Sequence, residues 1–584
     1  MKHVVLSINR YVVASAAVSL FSLAPALVVA AETRVDLRLV ARRGDPAPGV
    51  PGRTFHSLSS DGPLMSPGGH VAFVANTASA SNTAGIWVGR PGELGLVAHE
   101  PGQAAGLPAG TTYRDLRGLV SVDDAGRVGF WGYPASSSWT AFWGAPGEVT
   151  ALLREDFEVP WVSPGILGGL YLNAPYLGGG TAVLSASTTA SSGHGSVGIW
   201  QTMPTGLQLI MRQGASAPGM PAGAVFDGSN GTPYRPLVNA SGDVAFAAAV
   251  AGGGVDYLSN DRGIWVRRNG VLSLAFRANA PVSGLGTNVT LRYPRLSSIG
   301  NSGDIAFFGD LFQNGVGINN GRSLWCGTNG DFRLVARNDS PLPGLPAGVT
   351  VSVSDSTSAM ISGDYVGFAA YVSGAGVSSA NDRGFFMGPR DAVRCIVREG
   401  DQVPGMEPGV VFTDLLDGFA MNARGQIVFR ASIAGPGVSS SNNSGIWATD
   451  TRGTMLQIAR EGVPVSATNA AGVPVPLDPV RFGLLADSGG EDGSATSINA
   501  AGQIAFYMYV DPSQTSSDAT IIRADIIESC VGDFNSDGFL DFEDFDAFVA
   551  AFEAGAASSD ITGDGFLDFE DFDAFVAAFE FGCE

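Results

Sequence analysis

At 584 residues the chain is too long for one ordinary hydrophobic core, and its 80 glycines and 33 prolines, spread along the whole length, point to many short turns between strands. A formal net charge of −22 excludes the basic footprint that nucleic-acid binding needs. The charge is unevenly placed: fifteen Asp or Glu and no Lys or Arg lie between Cys530 and Glu584.

The first 31 residues read as a secretory signal peptide. Lys2 and Arg10 supply the positive end, Tyr11 to Val29 are mostly apolar or small, and Val29-Ala30-Ala31 offers a small-residue cleavage site. An uncleaved membrane anchor is the alternative. No later segment is long and apolar enough to span a bilayer, so the mature chain is expected to lack a transmembrane segment and to be secreted or held at the cell surface.

From residue 35 to 528 one phrase recurs: Asn, two residues, Gly, two residues, Ala, Phe. Its clearest copies are Asn239 to Phe246 and Asn499 to Phe506; looser ones end at Phe73, Phe130, Leu184, Phe307, Phe368 and Phe429. From Phe246 to Phe429 the step is 61 residues each time, and elsewhere it runs from 54 to 77. After it comes a Gly-Ile-Trp phrase, at Gly85 to Trp87, Gly198 to Trp200, Gly263 to Trp265 and Gly445 to Trp447. A strand like Leu-Val-Ala-Arg follows, at Leu39 to Arg42, Leu334 to Arg337 and Ile396 to Arg398, and then a Pro-Gly-x-Pro-x-Gly turn, as at Pro218 to Gly223.

Short β-branched and aromatic runs bounded by Gly, Pro, Asn and Asp are strands. Alternation puts Val244 and Phe246 on one face, and the turn before them requires a positive φ at Gly242. Four short strands in about 60 residues make one propeller blade. The first Leu-Val-Ala-Arg strand has no Gly-Ile-Trp partner before it, and Thr520 to Arg523 has no Leu-Val-Ala-Arg partner after it. The two would complete each other and remove the open sheet edge. The expected fold is mainly β: a propeller-like array of eight blades, with an open solenoid or a seven-bladed ring as alternatives. Eight copies in register resemble the bacterial tandem-repeat proteins named for the NxxGxxAF phrase, in which one repeat region precedes different C-terminal attachment segments. That resemblance implies an extracellular or surface location and no particular reaction.

Residues 530 to 584 form a second, small α-helical domain. Asp533 to Asp544 and Asp560 to Asp571 are twelve-residue loops with oxygen ligands at positions 1, 3, 5, 9 and 12 and Gly at position 6, the spacing that lets a chain curl around Ca²⁺. The first site is expected to use Asp533, Asn535, Asp537, Asp541 and Asp544 with the carbonyl of Phe539. The second is expected to use Asp560, Thr562, Asp564, Asp568 and Asp571 with the carbonyl of Phe566. Thr562 is a poorer ligand than Asn535, which makes the second site the weaker. After each loop the run FEDFDAFVAAFE repeats, putting Phe542, Phe545, Phe548, Val549 and Phe552, and likewise Phe569, Phe572, Phe575, Val576 and Phe579, at helical spacing. Two such helices would pack as a pair, stapled by two Ca²⁺ ions and a Cys530–Cys583 disulfide. Cys326 and Cys395 read as buried free thiols.

The paired loops resemble a type I dockerin, which implies docking onto a cohesin. Positions 10 and 11 help choose the partner in that family; here they are Phe542-Glu543 and Phe569-Glu570 rather than small hydroxylated pairs, so an anchor or sorting tail is an equal alternative. The mature chain keeps four scattered histidines and shows no nucleophile elbow, phosphate loop or dinucleotide fingerprint. The acidic pairs Asp123-Asp124 and Glu155-Asp156 read as turns, and Asn260 to Gly263 and Asn381 to Gly384 as strand-entry turns. Two functions remain: a non-catalytic surface scaffold or binding protein tethered by its calcium tail, or a polysaccharide-degrading or glycan-binding component docking to a cohesin.

Overall fold

The computed structural model describes residues 33–528, apart from short internal stretches of which 155–165 and 511–518 are the longest, and residues 531–581 apart from 536–539 and 563–565. The signal-peptide residues, Cys530, Cys583 and Glu155-Asp156 lie outside the described residues. Residues 35–527 form one compact unit, and the chain from Glu528 belongs to another.

The larger unit is a ring of eight sheets, an eight-bladed propeller, antiparallel except where the N-terminal strand meets Val465–Thr468 in parallel. The fourth blade shows the pattern. Ala224–Asp227 and Leu237–Val238 pair along one edge of Val244–Gly252, which pairs with Arg262–Arg268, which pairs with Val271–Arg277. Blades stack face to face, so both faces of a strand are buried. Val244 and Phe246 enter one inter-blade core, while Ala245 between them enters the next. The Ala-Phe ending of the repeat therefore serves two cores, and the core that takes Ala245 also takes Phe307 of the next blade.

The two commonest phrases recur because they touch. Phe246 is the cross-strand partner of Trp265, and their rings stack 6.1 Å apart. Phe73 with Trp87 and Phe429 with Trp447 do the same. A phenylalanine from the first strand, or from just before it, completes each group edge-on: Phe226, Phe412 and Phe55. The indole Nε1 of Trp265 donates to the Pro218 carbonyl (2.9 Å) and that of Trp87 to Pro48 (2.9 Å), so the tryptophan also fixes the proline-rich turn. The Gly two residues earlier leaves room for the ring, since a Cβ on Gly263 would lie 2.8 Å from the Trp265 ring and from the Leu274 side chain.

Blade-to-blade contacts reuse one position, the residue just after the last strand of a blade. Glu399 accepts from the N–H of Arg383 in its own blade (3.3 Å) and of Leu415 in the next (3.2 Å). Glu100 links Ala84 to Leu116 in the same way, and Asn338 reaches the Val353 N–H (2.6 Å). Burial pushes the Glu399 carboxyl above its ordinary pKa, against the two N–H groups it accepts from.

Ring closure uses the N-terminal strand. Arg34–Arg42 pairs with Ala519–Ile527, and Arg38 Nε donates to Asp525 (2.9 Å). Ile522 stands opposite Phe506, where other blades place Trp. The other edge of Arg34–Arg42 is covered by a hairpin, Val465–Thr468 and Pro474–Leu477, which leaves no exposed edge on the closing strand.

In the C-terminal segment, helix α1 (Phe542–Glu553) packs on helix α2 (Phe569–Phe581). Phe548 and Phe575 are fully buried, their rings stacked 4.0 Å apart. The aromatic face is shorter than the spacing implies: Phe542 and Phe569, which start the helices six residues before the stacked pair, are 79% and 80% exposed. Cys326 and Cys395 are free thiols, and burial pushes both pKa values up to about 12.

Candidate functional site: an axial cleft and paired acidic loops

The Asn-x-x-Gly turns converge on the ring axis. Asn239 closes its own turn, its Oδ1 accepting from the N–H groups of Ser241 (3.0 Å) and Asp243 (2.9 Å), with Gly242 at φ +77°. Its Nδ2 donates to the Gly300 carbonyl (3.0 Å) at the equivalent position of the next blade. Asn422 repeats this, reaching the Asn499 carbonyl (2.7 Å). Asparagine suits the position because it accepts within the turn and donates across the blade interface. Asn239→Ala should cost about 2 kcal/mol, from the stranded Gly300 carbonyl and the lost turn bonds. Asn239→Asp should keep the turn but lose the donor, and equilibrium denaturation of both variants checks the order.

Inside these turns runs a strap, Ser488 to Thr496, from the last repeat. It meets the blades in reverse chain order. Met421 N–H donates to the Ser488 carbonyl (3.2 Å), and Ser362 Oγ to the Gly489 carbonyl (2.9 Å). Glu491 accepts from the N–H groups of Gly363 (2.8 Å) and Asn301 (2.7 Å). Val238 donates to the Asp492 carbonyl (3.0 Å), Leu177 to Gly493 (3.4 Å) and Met65 to Thr496 (3.0 Å). Ala495 joins the core that holds Val122 of the second blade. The innermost strands thereby find partners for N–H groups that would otherwise face the axis unpaired.

Between the strap and the turns of the second, third and fourth blades lies a cleft of about 270 Å³, lined by Asp123, Asp124, Arg127, Asn301 and Glu491 and floored by Gly178 to Gly180. Its carboxylates are engaged: Asp123 accepts from Arg127 Nε (2.7 Å) and two backbone N–H groups, and Asp124 from the Gly68 N–H (2.5 Å). His70 packs under Gly126, and burial first, then Arg90, lowers its pKa against the nearby carboxylates. The strand-entry asparagines are likewise used internally: Asn260 accepts from the Asp256 N–H (2.8 Å) and Asn381 from the Ser378 N–H (2.7 Å).

The two acidic loops fold alike. Asp544, fully buried, accepts from the N–H groups of Asn535 (3.0 Å) and Asp541 (3.0 Å), and Asp541 caps α1 through the Glu543 N–H (2.8 Å). Asp571 accepts from the N–H groups of Thr562 (2.9 Å) and Asp568 (3.0 Å), and Asp568 from the Glu570 N–H (2.9 Å). The second loop differs at one point, where the Thr562 hydroxyl donates to Asp571 (3.0 Å). Burial would raise the Asp571 pKa, but these donors and the Ile561 N–H outweigh it and hold the carboxyl below its ordinary value. Asp533, Asn535 and Asp560 lie in the described parts of the loops, and Phe566 is 71% exposed. Asp537, Phe539 and Asp564 lie outside the described residues, as does the Cys530–Cys583 pair. Among the described residues no three His, Cys, Asp or Glu side chains converge as a metal cluster would.

The fold defines the class: an eight-bladed propeller followed by two short helices. The chain belongs to a family of unknown function (DUF7453), whose model matches residues 24–226, 106–278 and 178–514. No curated protein matches it. Among solved structures it is similar to a prolyl endopeptidase (13% identity, TM-score 0.35), covering 72% of this chain and 54% of that one. It is also similar to an acylaminoacyl peptidase of Pyrococcus horikoshii (10% identity, TM-score 0.35, 78% and 58% covered). A third is the propeller domain of the Trilobed protease from Pyrococcus furiosus (9% identity, TM-score 0.33, 70% and 100% covered). The chain thus spans just over half the length of the first of these structures.

Proposed function

We propose that this protein is a secreted or cell-surface binding scaffold, non-catalytic in its propeller, attached or sorted through a dockerin-like tail that two Ca²⁺ ions fold. The observation that carries the reading is the pair of equivalent loops, each closing on a buried carboxylate in a segment with no Lys or Arg. Oxygen donors only, at this spacing, suit a hard divalent cation, which would offset the mutual repulsion of the carboxylates. The first site would take Asp533, Asn535, Asp537, Asp541 and Asp544 with the Phe539 carbonyl. The second would take Asp560, Thr562, Asp564, Asp568 and Asp571 with the Phe566 carbonyl, and is the weaker because the Thr562 hydroxyl is already committed to Asp571. For the propeller, the support is that the cleft carboxylates are held by backbone donors and Arg127, a poor arrangement for proton transfer.

The test is calorimetric titration of the full chain with Ca²⁺. Two binding events of unequal affinity are expected, with Asp544→Ala abolishing the tighter and Asp571→Ala the weaker. Chelation should remove the helical circular-dichroism signal of the tail. No heat of binding, or helicity indifferent to chelator, sinks the reading. A second function, a component of a polysaccharide-degrading system docking to a cohesin, is favoured by one observation: Phe542 and Phe569, at equivalent positions of the two loops, present exposed rings suited to a protein partner. Failure of the tail to retain a cohesin in a pull-down counts against it.

A further inference from the structure

In an acidic protein the last two strands of the fourth blade together with the fifth blade are basic. From Arg262 to Asn338 there are nine arginines against three aspartates, a net of +6 in a chain of −22. Four of these arginines gather at one corner. Arg292, Asp310 and Arg322 stand in register across three adjacent strands, and Arg322 grips Asp310 with two bonds (2.5 and 3.3 Å). Beside them the Arg262 guanidinium lies 5.7 Å from the Tyr293 ring, Tyr293 meets Phe312 edge-on at 6.0 Å, and Arg292 covers Phe312 at 4.4 Å. Arg292 Nε is further fixed by Asn279 (3.1 Å). Arg295, exposed, follows the bulge. Partial burial of its guanidinium, then the field of Arg322 and that of Arg262, lower its pKa against Asp310. Four guanidiniums thus stand around one carboxylate, that of Asp310, with Asp261, buried, beside Arg262 in sequence.

The backbone is bent to build this corner. Tyr293 adopts φ +52°, a left-handed conformation costly for a bulky aromatic residue, where the strand slips register between Arg292 and Arg295. The bulge aims the ring between Arg262 and Phe312. Adjoining it is a cleft of about 390 Å³ lined by Asp310, Phe312, Arg322, Asn338 and Ser354. The corner and the cleft together offer planar guanidinium donors, an apolar ring face and neutral hydrogen-bonding groups, with Arg322 and Phe312 shared by both.

We propose that this corner of the fifth blade binds acidic polysaccharide, its arginines pairing with uronate carboxylates and its cleft holding the adjacent sugar ring. The guanidinium fork matches a carboxylate in two-point geometry, and stacking on Tyr293 and Phe312 holds the forks in place at little further cost in side-chain entropy. The assignment rests on the propeller being a binding scaffold and is independent of calcium in the tail.

The test is titration of the full chain with an oligogalacturonate in chelator, so that no cation bridges carboxylates, beside a neutral oligosaccharide of equal length. Saturable binding of the uronate alone is expected, weakened by salt. Arg295→Gln, which is exposed, and Arg292→Gln should each lose about tenfold or more in affinity. Absence of binding, equal affinity for the neutral sugar, unchanged affinity in both variants, or equally tight binding of a DNA duplex would each overturn the proposal. A reducing-end assay on the same mixtures separates the two readings: cleavage of the glycan would end the non-catalytic scaffold and leave this site standing.

Discussion

Trp265→Ala should destabilise the propeller by about 3–5 kcal/mol, the range for removing a large aromatic side chain from a packed core. Trp265 is fully buried, stacked on Phe246 and edge-on to Phe226 at 4.9 Å. Its indole N–H is the donor to the Pro218 carbonyl, so truncation opens a cavity and loosens the turn that leads from one blade to the next. Trp265→Phe keeps a ring on Phe246 and should cost less than half as much, since it loses the indole bond and part of the volume. Denaturant midpoints at constant m-value measure both. A loss below about 1 kcal/mol for the alanine variant would mean that the phrase is conserved from blade to blade for some reason other than packing.

The repeat phrases were legible because each is a local record of one contact made again and again. Phe246 and Trp265 are nineteen residues apart yet opposite in register, and their counterparts in other blades keep that pairing. The closing strand was legible too, as two phrases each lacking a neighbour. What the sequence hid is what depends on the ring as a whole. The Nδ2 of Asn239 bonds a carbonyl 61 residues away, and nothing near Asn239 says so. Arg262, Arg292, Arg295 and Arg322 look scattered along the chain and meet only because adjacent blades and strands bring them to one corner. The acidic loops are the opposite case: their twelve-residue repeat is a one-dimensional signal, and Asp544 and Asp571 sit at equivalent positions, each accepting from the N–H groups nine and three residues before it. Helical spacing was less complete, since it placed Phe542 and Phe569 on the packed face where the structure leaves them exposed.

The strap is the feature that sequence reasoning missed outright. Ser488 to Thr496 is polar and glycine-rich, the composition of a surface loop, yet Ser488, Asp492, Ala495 and Thr496 are buried. One signal was present: the last repeat takes 77 residues from Phe429 to Phe506 instead of 61. The surplus supplies the hairpin over the closing strand and the strap inside the ring. Both serve closure, one from the outer edge and one from the axis, so the last repeat carries the parts that the seven others share.

Gly489→Ala should therefore be the most damaging single methyl group in the axis. A Cβ there would collide with the Ile361 carbonyl oxygen and lie 2.9 Å from its carbon, and a backbone carbonyl inside a sheet cannot swing away as a side chain can. The strap would have to withdraw locally, breaking the Ser362 bond to Gly489 and straining the two N–H bonds to Glu491 next to it. Each buried group left without a partner costs about 1–3 kcal/mol, so a total near 3 kcal/mol is expected from one methyl. Because the damage begins at the sixth blade and spreads along the strap, hydrogen exchange should accelerate first at the amides of Gly363, Asn301 and Met421, and later at Val238. Amides of the outer strands, such as those of Val271–Arg277, should keep their protection until global unfolding. Uniform acceleration across inner and outer strands would mean that the strap fills space without fastening the ring, and unchanged exchange at Gly363 would mean that it does neither.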